Sequence, residues 1–109
     1  CGGLARPNIL MFGDWDWDAV RAAEQLARYE SWLDRVRGRR IVAVELGAGL
    51  AIPTVRMECE RRAGRLIRIN PREAETPGNG ISIPLGAVDA LLGIERVLLE
   101  EKKGNTNLR

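Results

Sequence analysis

Apolar residues at Ala22, Leu26, Tyr29, Leu33 and Val36 fall at gaps of four, three, four and three, which lays one stripe along a helix. Arg21, Glu24, Arg28 and Asp34 lie off that stripe, so the pattern predicts an amphipathic helix from Asp18 to about Arg37. Asp16 or Asp18 is placed to cap it, and Gly38 is a natural stop. Ile41–Leu46 (IVAVEL) is short, β-branched and almost wholly apolar, which predicts a strand buried on both faces with Glu45 as its one misfit. A helix is predicted over Thr54–Ala63, with Ile52, Val55 and Cys59 inward, Pro53 in its first turn and Gly64 at its end. Arg56, Arg61 and Arg62 read as its solvated face.

Arg65–Asn70 (RLIRIN) predicts a second strand, ended by Pro71, and PREAETPGNG is a polar loop with strong turn chemistry. Ile81–Ile83 predicts a third strand, and Ala87 to about Glu101 a last helix with Ala87, Leu91, Ile94 and Leu98 on one side. The first fourteen residues read as loop, with a short strand at Ile9–Phe12 after the extended Arg6-Pro7 pair. Strands alternating with crossover-length helices imply a parallel sheet, and such sheets normally have both faces covered. The expected fold class is therefore α/β: a parallel sheet of about three to four strands with flanking helices, which reads as half of a larger one.

Length and composition narrow the class. A chain of 109 residues allows one domain, and 45% apolar with 29% charged residues is an ordinary globular balance. No apolar run approaches the roughly 20 residues of a membrane span. The net charge of +2 provides no electrostatic reason to expect nucleic acid or a membrane surface as partner. Two cysteines and no visible signal segment predict a reducing, cytoplasmic setting. The absence of histidine removes Ser–His and Cys–His catalysis and His-ligated metal from these residues.

Candidate chemistry lies in three places. Val44-Glu45-Leu46-Gly47-Ala48-Gly49 delivers a strand into a glycine turn and a helix, which suits close backbone approach to an anionic ligand and equally suits any tight strand-to-helix turn. Asn70 ends the next strand, where an amide can meet ribose hydroxyls or simply start a turn before Pro71. Cys1 is a metal ligand only if further cysteines join it, and Cys59 reads as a small buried hydrophobe. Trp32 packs beside the helix stripe, while Trp15 and Trp17 suit either packing or a binding surface.

Read as a whole, Cys1-Gly-Gly-Leu-Ala-Arg-Pro-Asn-Ile-Leu-Met-Phe-Gly-Asp14 resembles the sirtuins, NAD-dependent protein deacylases, in the segment just after their last zinc cysteine. The resemblance continues through Gly47-Ala48-Gly49-Leu50 with Pro53, then Ile69-Asn70, and covers the C-terminal part of the family, in a divergent bacterial-type branch. It implies that residues 1–14 end a zinc module and bind peptide, 15–103 form the C-terminal half of a Rossmann-like NAD-binding domain, and 104–109 are a tail. Cys1 would be the fourth zinc ligand. Leu10, Met11, Phe12 and Gly13 would pair with an acyl-lysine peptide as an added strand. Gly47, Ala48 and Gly49 would contact NAD near its ribose and phosphates, Asn70 the adenine ribose, and Leu85 and Gly86 the adenine.

Asp14 replaces the family's glutamate, Ala48 and Gly49 lack its hydroxyls, and Arg72 stands where many relatives have an acidic or small residue. The first glycine-rich loop, the catalytic histidine and three zinc cysteines of the family have no counterpart here, so these residues alone would not deacylate by its mechanism. Partners would be an acylated-lysine peptide or protein and either the missing N-terminal half or a second copy. Two other readings stand beside this one. Glu45-Leu46-Gly47-Ala48-Gly49 is similar to the E-x-G-x-G turn of S-adenosylmethionine-dependent methyltransferases, although those usually put an acidic residue where Asn70 stands. A non-catalytic α/β module that binds a nucleotide or a partner protein is the third.

Overall fold

The computed structural model describes residues 2–5 and 7–106, the side chains of 104–106 excepted. The chain divides into two compact units, Cys1–Gly38 and Arg39–Arg109.

The first unit is irregular up to helix α1 (Val20–Arg35). Asp18 helps to start the helix: its carboxylate accepts the Val20 N–H at 3.0 Å, and its own carbonyl accepts the Asn8 side-chain amide at 2.9 Å. The expected stripe is present but thinly covered. Ala22, Leu33 and Val36 are half-buried, whereas Leu26 and the stacked pair Tyr29–Trp32 are exposed. Gly38 takes a left-handed φ of +78° just past the helix.

No strand forms at Ile9–Phe12, contrary to expectation. The Ile9 N–H turns back to the Pro7 carbonyl at 2.8 Å, and the Asp14 N–H closes a turn on the Met11 carbonyl at 3.2 Å. Gly13 permits that turn because its φ is +75°, a conformation that disfavours side chains. With the backbone folded onto itself and no strand among the described residues of the unit to pair with, a ladder has nothing to form on.

The second unit is a small α/β fold: strand β1 (Val42–Leu46), helix α2 (Thr54–Arg62), strand β2 (Arg65–Ile69), strand β3 (Ile81–Ile83) and helix α3 (Ala87–Thr106). The three strands make one parallel sheet in the order β1-β2-β3. Val42 pairs with Arg65, Glu45 with Arg68, and Arg68 in turn with Ser82. Alternation then puts Ala43, Glu45, Leu66 and Arg68 on one face, and Val42, Val44, Leu46, Ile67 and Ile69 on the other.

Three expectations are corrected here. First, β1 is not buried on both faces: Val42, Val44 and Leu46 are about half exposed, while the supposed misfit Glu45 is only 2% exposed. The reason is Arg68, directly across in register, which holds both Glu45 carboxylate oxygens at 2.6 and 2.9 Å and reaches Glu60 of α2 at 2.8 Å. Second, Ile52 and Val55 face solvent, and Arg56 is buried in their place because its guanidinium has backbone carbonyls to bind. Arg61 and Arg62 do lie on the outer face, both paired with Glu58. Third, α2 does not end at a left-handed glycine: Ala63 is extended, and Gly64 approaches the Ile41 carbonyl closely, its N–H bonding there at 2.8 Å.

The loop 71–80 is folded onto the sheet. Ala74 is buried, and Arg68 and Arg56 bind the Glu75 carbonyl at 2.6 and 3.5 Å. Helix α3 runs beyond the expected Glu101, with Ala90 buried, Ile94 half-buried, and Leu91 and Leu98 exposed. Among the described residues no helix is long and apolar enough to cross a membrane.

Candidate functional site

The carboxyl ends of the three parallel strands lie side by side, and the expected nucleotide residues follow them directly. β1 leaves through Gly47, whose N–H donates to the Ile69 carbonyl at 2.9 Å and whose φ of +67° only glycine adopts without strain. β2 leaves through Asn70, whose N–H donates to the Ile83 carbonyl at 3.2 Å. β3 leaves through Pro84 to Leu85, whose N–H returns to the Ile83 carbonyl at 2.9 Å, and to Gly86, whose carbonyl accepts the first α3 bond from Ala90 at 3.0 Å. Gly47, Ala48, Gly49, Asn70, Leu85 and Gly86 are thereby gathered on one edge of one sheet.

Two of these are tied by side chains. The Asn70 amide donates to the Ala48 carbonyl at 3.2 Å, and its oxygen accepts the N–H groups of Arg72 and Glu73, both at 3.0 Å. Asn70 is therefore a buried brace between two loops, and the second hydrogen of its amide has no bond among the described residues. Of the two readings of this residue, the turn starter is the one visible in the hydrogen bonds.

Two further residues shape the edge, and sequence reasoning missed both. Buried Arg56 donates through Nη1 to the carbonyls of Ala48 and Glu73, at 2.9 and 3.0 Å. Glu73 sends its carboxylate to the same turn, where Oε2 accepts the Leu50 N–H at 3.0 Å and lies 4.0 Å from Arg56. Glu73 stands three residues after Asn70, inside the turn that the asparagine braces, and that spacing was the available signal. Arg56 had none, because a lone arginine in a first helical turn looks like surface.

Glu45 is turned into the protein. Its carboxylate belongs to Arg68, whose guanidinium it holds well above the usual arginine range. Cys59 is a half-buried free thiol; burial pushes its pKa up, and the Glu45 carboxylate adds to the effect. A protonated thiol is a poor nucleophile and a poor metal ligand. No group of three or more candidate metal ligands occurs among the described residues, and the expected zinc ligand Cys1 lies outside them.

Leu10, Met11, Phe12 and Gly13 belong to the first unit, all exposed, around the turn at Met11–Asp14. Trp15 is exposed, whereas the Trp17 indole nitrogen is buried without a hydrogen-bond partner among the described residues. No family model, no curated protein and no solved structure matches the chain.

Proposed function

We propose that these residues are part of a sirtuin-like, NAD-dependent protein lysine deacylase, supplying the C-terminal half of a Rossmann-like NAD-binding fold and one wall of the acyl-lysine cleft. The observation that carries this reading is the gathering of Gly47–Gly49, Asn70 and Leu85–Gly86 at the carboxyl edge of a parallel sheet, where open α/β sheets take nucleotides. The run of residues 1–14 then selects the family among nucleotide binders.

The polar groups at this edge suit a nucleoside. Gly49 carries no Cβ; one built there would stand 3.6 Å from Glu73 Oε2, so a ligand can approach the turn beside a carboxylate. A carboxylate accepts from ribose hydroxyls and repels phosphate, which puts a ribose rather than the pyrophosphate next to Glu73. The spare amide hydrogen of Asn70 and the exposed Gly49 N–H are donors to the same ligand. NAD, when bound, supplies the ribose hydroxyl that accepts the acyl group and the nicotinamide that leaves. The histidine base of this chemistry lies outside these 109 residues, and so do the zinc cysteines beyond Cys1. The exposed Leu10–Gly13 segment offers backbone to an acylated-lysine peptide, and a polypeptide carrying the family's N-terminal half would complete the active site.

Glu73 also favours a second reading. An acidic side chain just beyond the second strand, reaching the glycine turn, is what an S-adenosylmethionine site requires and Asn70 alone did not offer. Titration of the labelled chain separates the two. ADP-ribose, but not S-adenosylmethionine, is expected to shift the amides of Gly47–Leu50 and Asn70. A response to S-adenosylmethionine alone would overturn the deacylase reading in favour of a methyltransferase relative.

A further inference from the structure

The Ala48 carbonyl is held inward by two donors, Arg56 Nη1 at 2.9 Å and Asn70 Nδ2 at 3.2 Å. In a trans peptide the C=O and the following N–H point in opposite directions, and no cis bond occurs among the described residues. Drawing that carbonyl into the protein therefore turns the Gly49 N–H outward, at an exposed residue without a side chain to cover it. The next amide, Leu50 N–H, is already taken by Glu73. Gly49 is thus the donor the turn presents to a ligand, and its direction is decided behind it.

Arg56 does more than hold one carbonyl. Its guanidinium also binds the carbonyls of Glu73 and Glu75, so one buried side chain, 5% exposed, locks the turn after β1 to the loop after β2. A planar fork of donors can span three carbonyls in this way; a lysine ammonium, a single point on a flexible stem, cannot. We infer that Arg56 is the positioning residue of this site, aiming the Gly49 N–H at an acceptor oxygen of the nucleotide. The inference rests on the nucleotide reading above and concerns a side chain that never touches the ligand itself.

The test compares the chain with Arg56→Lys and Arg56→Met, using ADP-ribose as the probe. Amide exchange at Leu50, the bonded amide of the turn, is followed without ligand and binding is followed with it; the amides of Ile67 and Ile69 in the sheet report that the fold is retained. In Arg56→Lys, exchange at the turn is expected to accelerate about tenfold and ADP-ribose to bind about tenfold more weakly, the size of one lost hydrogen bond, with the sheet amides unchanged. Arg56→Met should lose more, and should it fail to fold, Arg56→Lys decides alone. Parent-like exchange and affinity in Arg56→Lys would overturn the positioning role while leaving the nucleotide reading in place. If the parent chain itself shows no response to ADP-ribose, the nucleotide reading fails instead. Turn exchange then judges Arg56: acceleration upholds its hold on Gly49, and no change refutes it.

Discussion

Arg68 lies directly across from Glu45 in the parallel register of β1 and β2, and its guanidinium holds both oxygens of that carboxylate inside the protein. Glu60 accepts from the same Nη2 and the Glu75 carbonyl from Nη1, so the buried charge is well partnered. Removing one member of such a pair strands the other in a low-dielectric interior. Glu45→Gln and Arg68→Met should each destabilise the second unit by about 3–5 kcal/mol in urea unfolding. The double variant Glu45→Leu, Arg68→Met should recover most of that loss, because two well-packed apolar groups avoid the desolvation cost altogether. A double variant no more stable than either single one would mean that the pair serves packing rather than charge balance.

The glycines of the turn should separate cleanly on substitution. Gly47→Ala places a side chain at a left-handed φ of +67° and is expected to cost about 1–2 kcal/mol. Gly49 has no such backbone need, and its added Cβ would meet only Glu73 Oε2 at an ordinary 3.6 Å. Gly49→Ser should therefore leave stability within about 0.5 kcal/mol of the parent, its hydroxyl within reach of that carboxylate. Thermal melts of the two variants check both numbers.

Asn70 makes three side-chain hydrogen bonds, and the choice of replacement tells which of them matter. Asn70→Ala loses all three and should cost about 2–4 kcal/mol, at roughly 1 kcal/mol per bond. Asn70→Asp keeps the acceptor for the Arg72 and Glu73 amides but sets a carboxylate oxygen against the Ala48 carbonyl. It should lie between Ala and the parent in stability while losing ADP-ribose affinity as fully as Ala does. Equal affinity in the aspartate variant would free this residue from any part in aiming the turn.

What the chain reveals by pattern and what it conceals follow one physical division. The three parallel strands and the strand-end glycine turn were readable from Ile41–Leu46, Arg65–Asn70 and Ile81–Ile83, because a short β-branched run bounded by Gly or Pro has few other conformations. The inside and outside of those elements were not. Hydropathy assigns Val44 and Val55 to the core and Glu45, Arg56 and Arg68 to solvent, and the fold does the reverse. Charges become interior when their partners arrive from distant positions, here 23 residues away for Glu45 and Arg68, and no local window records that. The Ile9–Phe12 segment failed for the complementary reason: its apolar residues suit a strand, but a strand needs a neighbour, and Gly13 closes a turn instead.

The apolar side of the sheet carries a consequence in solution. Val42, Val44 and Leu46 are about half exposed along β1, an edge strand of the three-stranded sheet. Uncovered strands of this kind bind apolar dyes and associate. The chain should enhance ANS fluorescence and sediment with a mass that rises with concentration. Val44→Lys should reduce both without lowering the melting temperature, since a lysine stem can cover the same half-exposed position and carry its charge into water.

Cys59 links this second unit to pH. Burial and the Glu45 carboxylate raise its thiol pKa in the folded chain, whereas the unfolded chain releases the same proton at the ordinary thiol value. Between those two values the unfolded state binds fewer protons than the native one, so stability falls as pH rises through that window and is unaffected below it. Cys59→Ser removes the titrating group while keeping a small polar side chain beside Glu45. Urea unfolding of both proteins at neutral and at alkaline pH isolates the effect: the parent should lose more stability than the serine variant on going alkaline, with the two parallel at lower pH. In the same window the folded thiol should alkylate more slowly than a free cysteine, since the thiolate is the reacting form. Peptide mapping after timed labelling gives the Cys59 rate separately from that of Cys1. A Cys59 rate equal to that of an unstructured thiol would show that neither burial nor the Glu45 carboxylate holds the thiol in its protonated form.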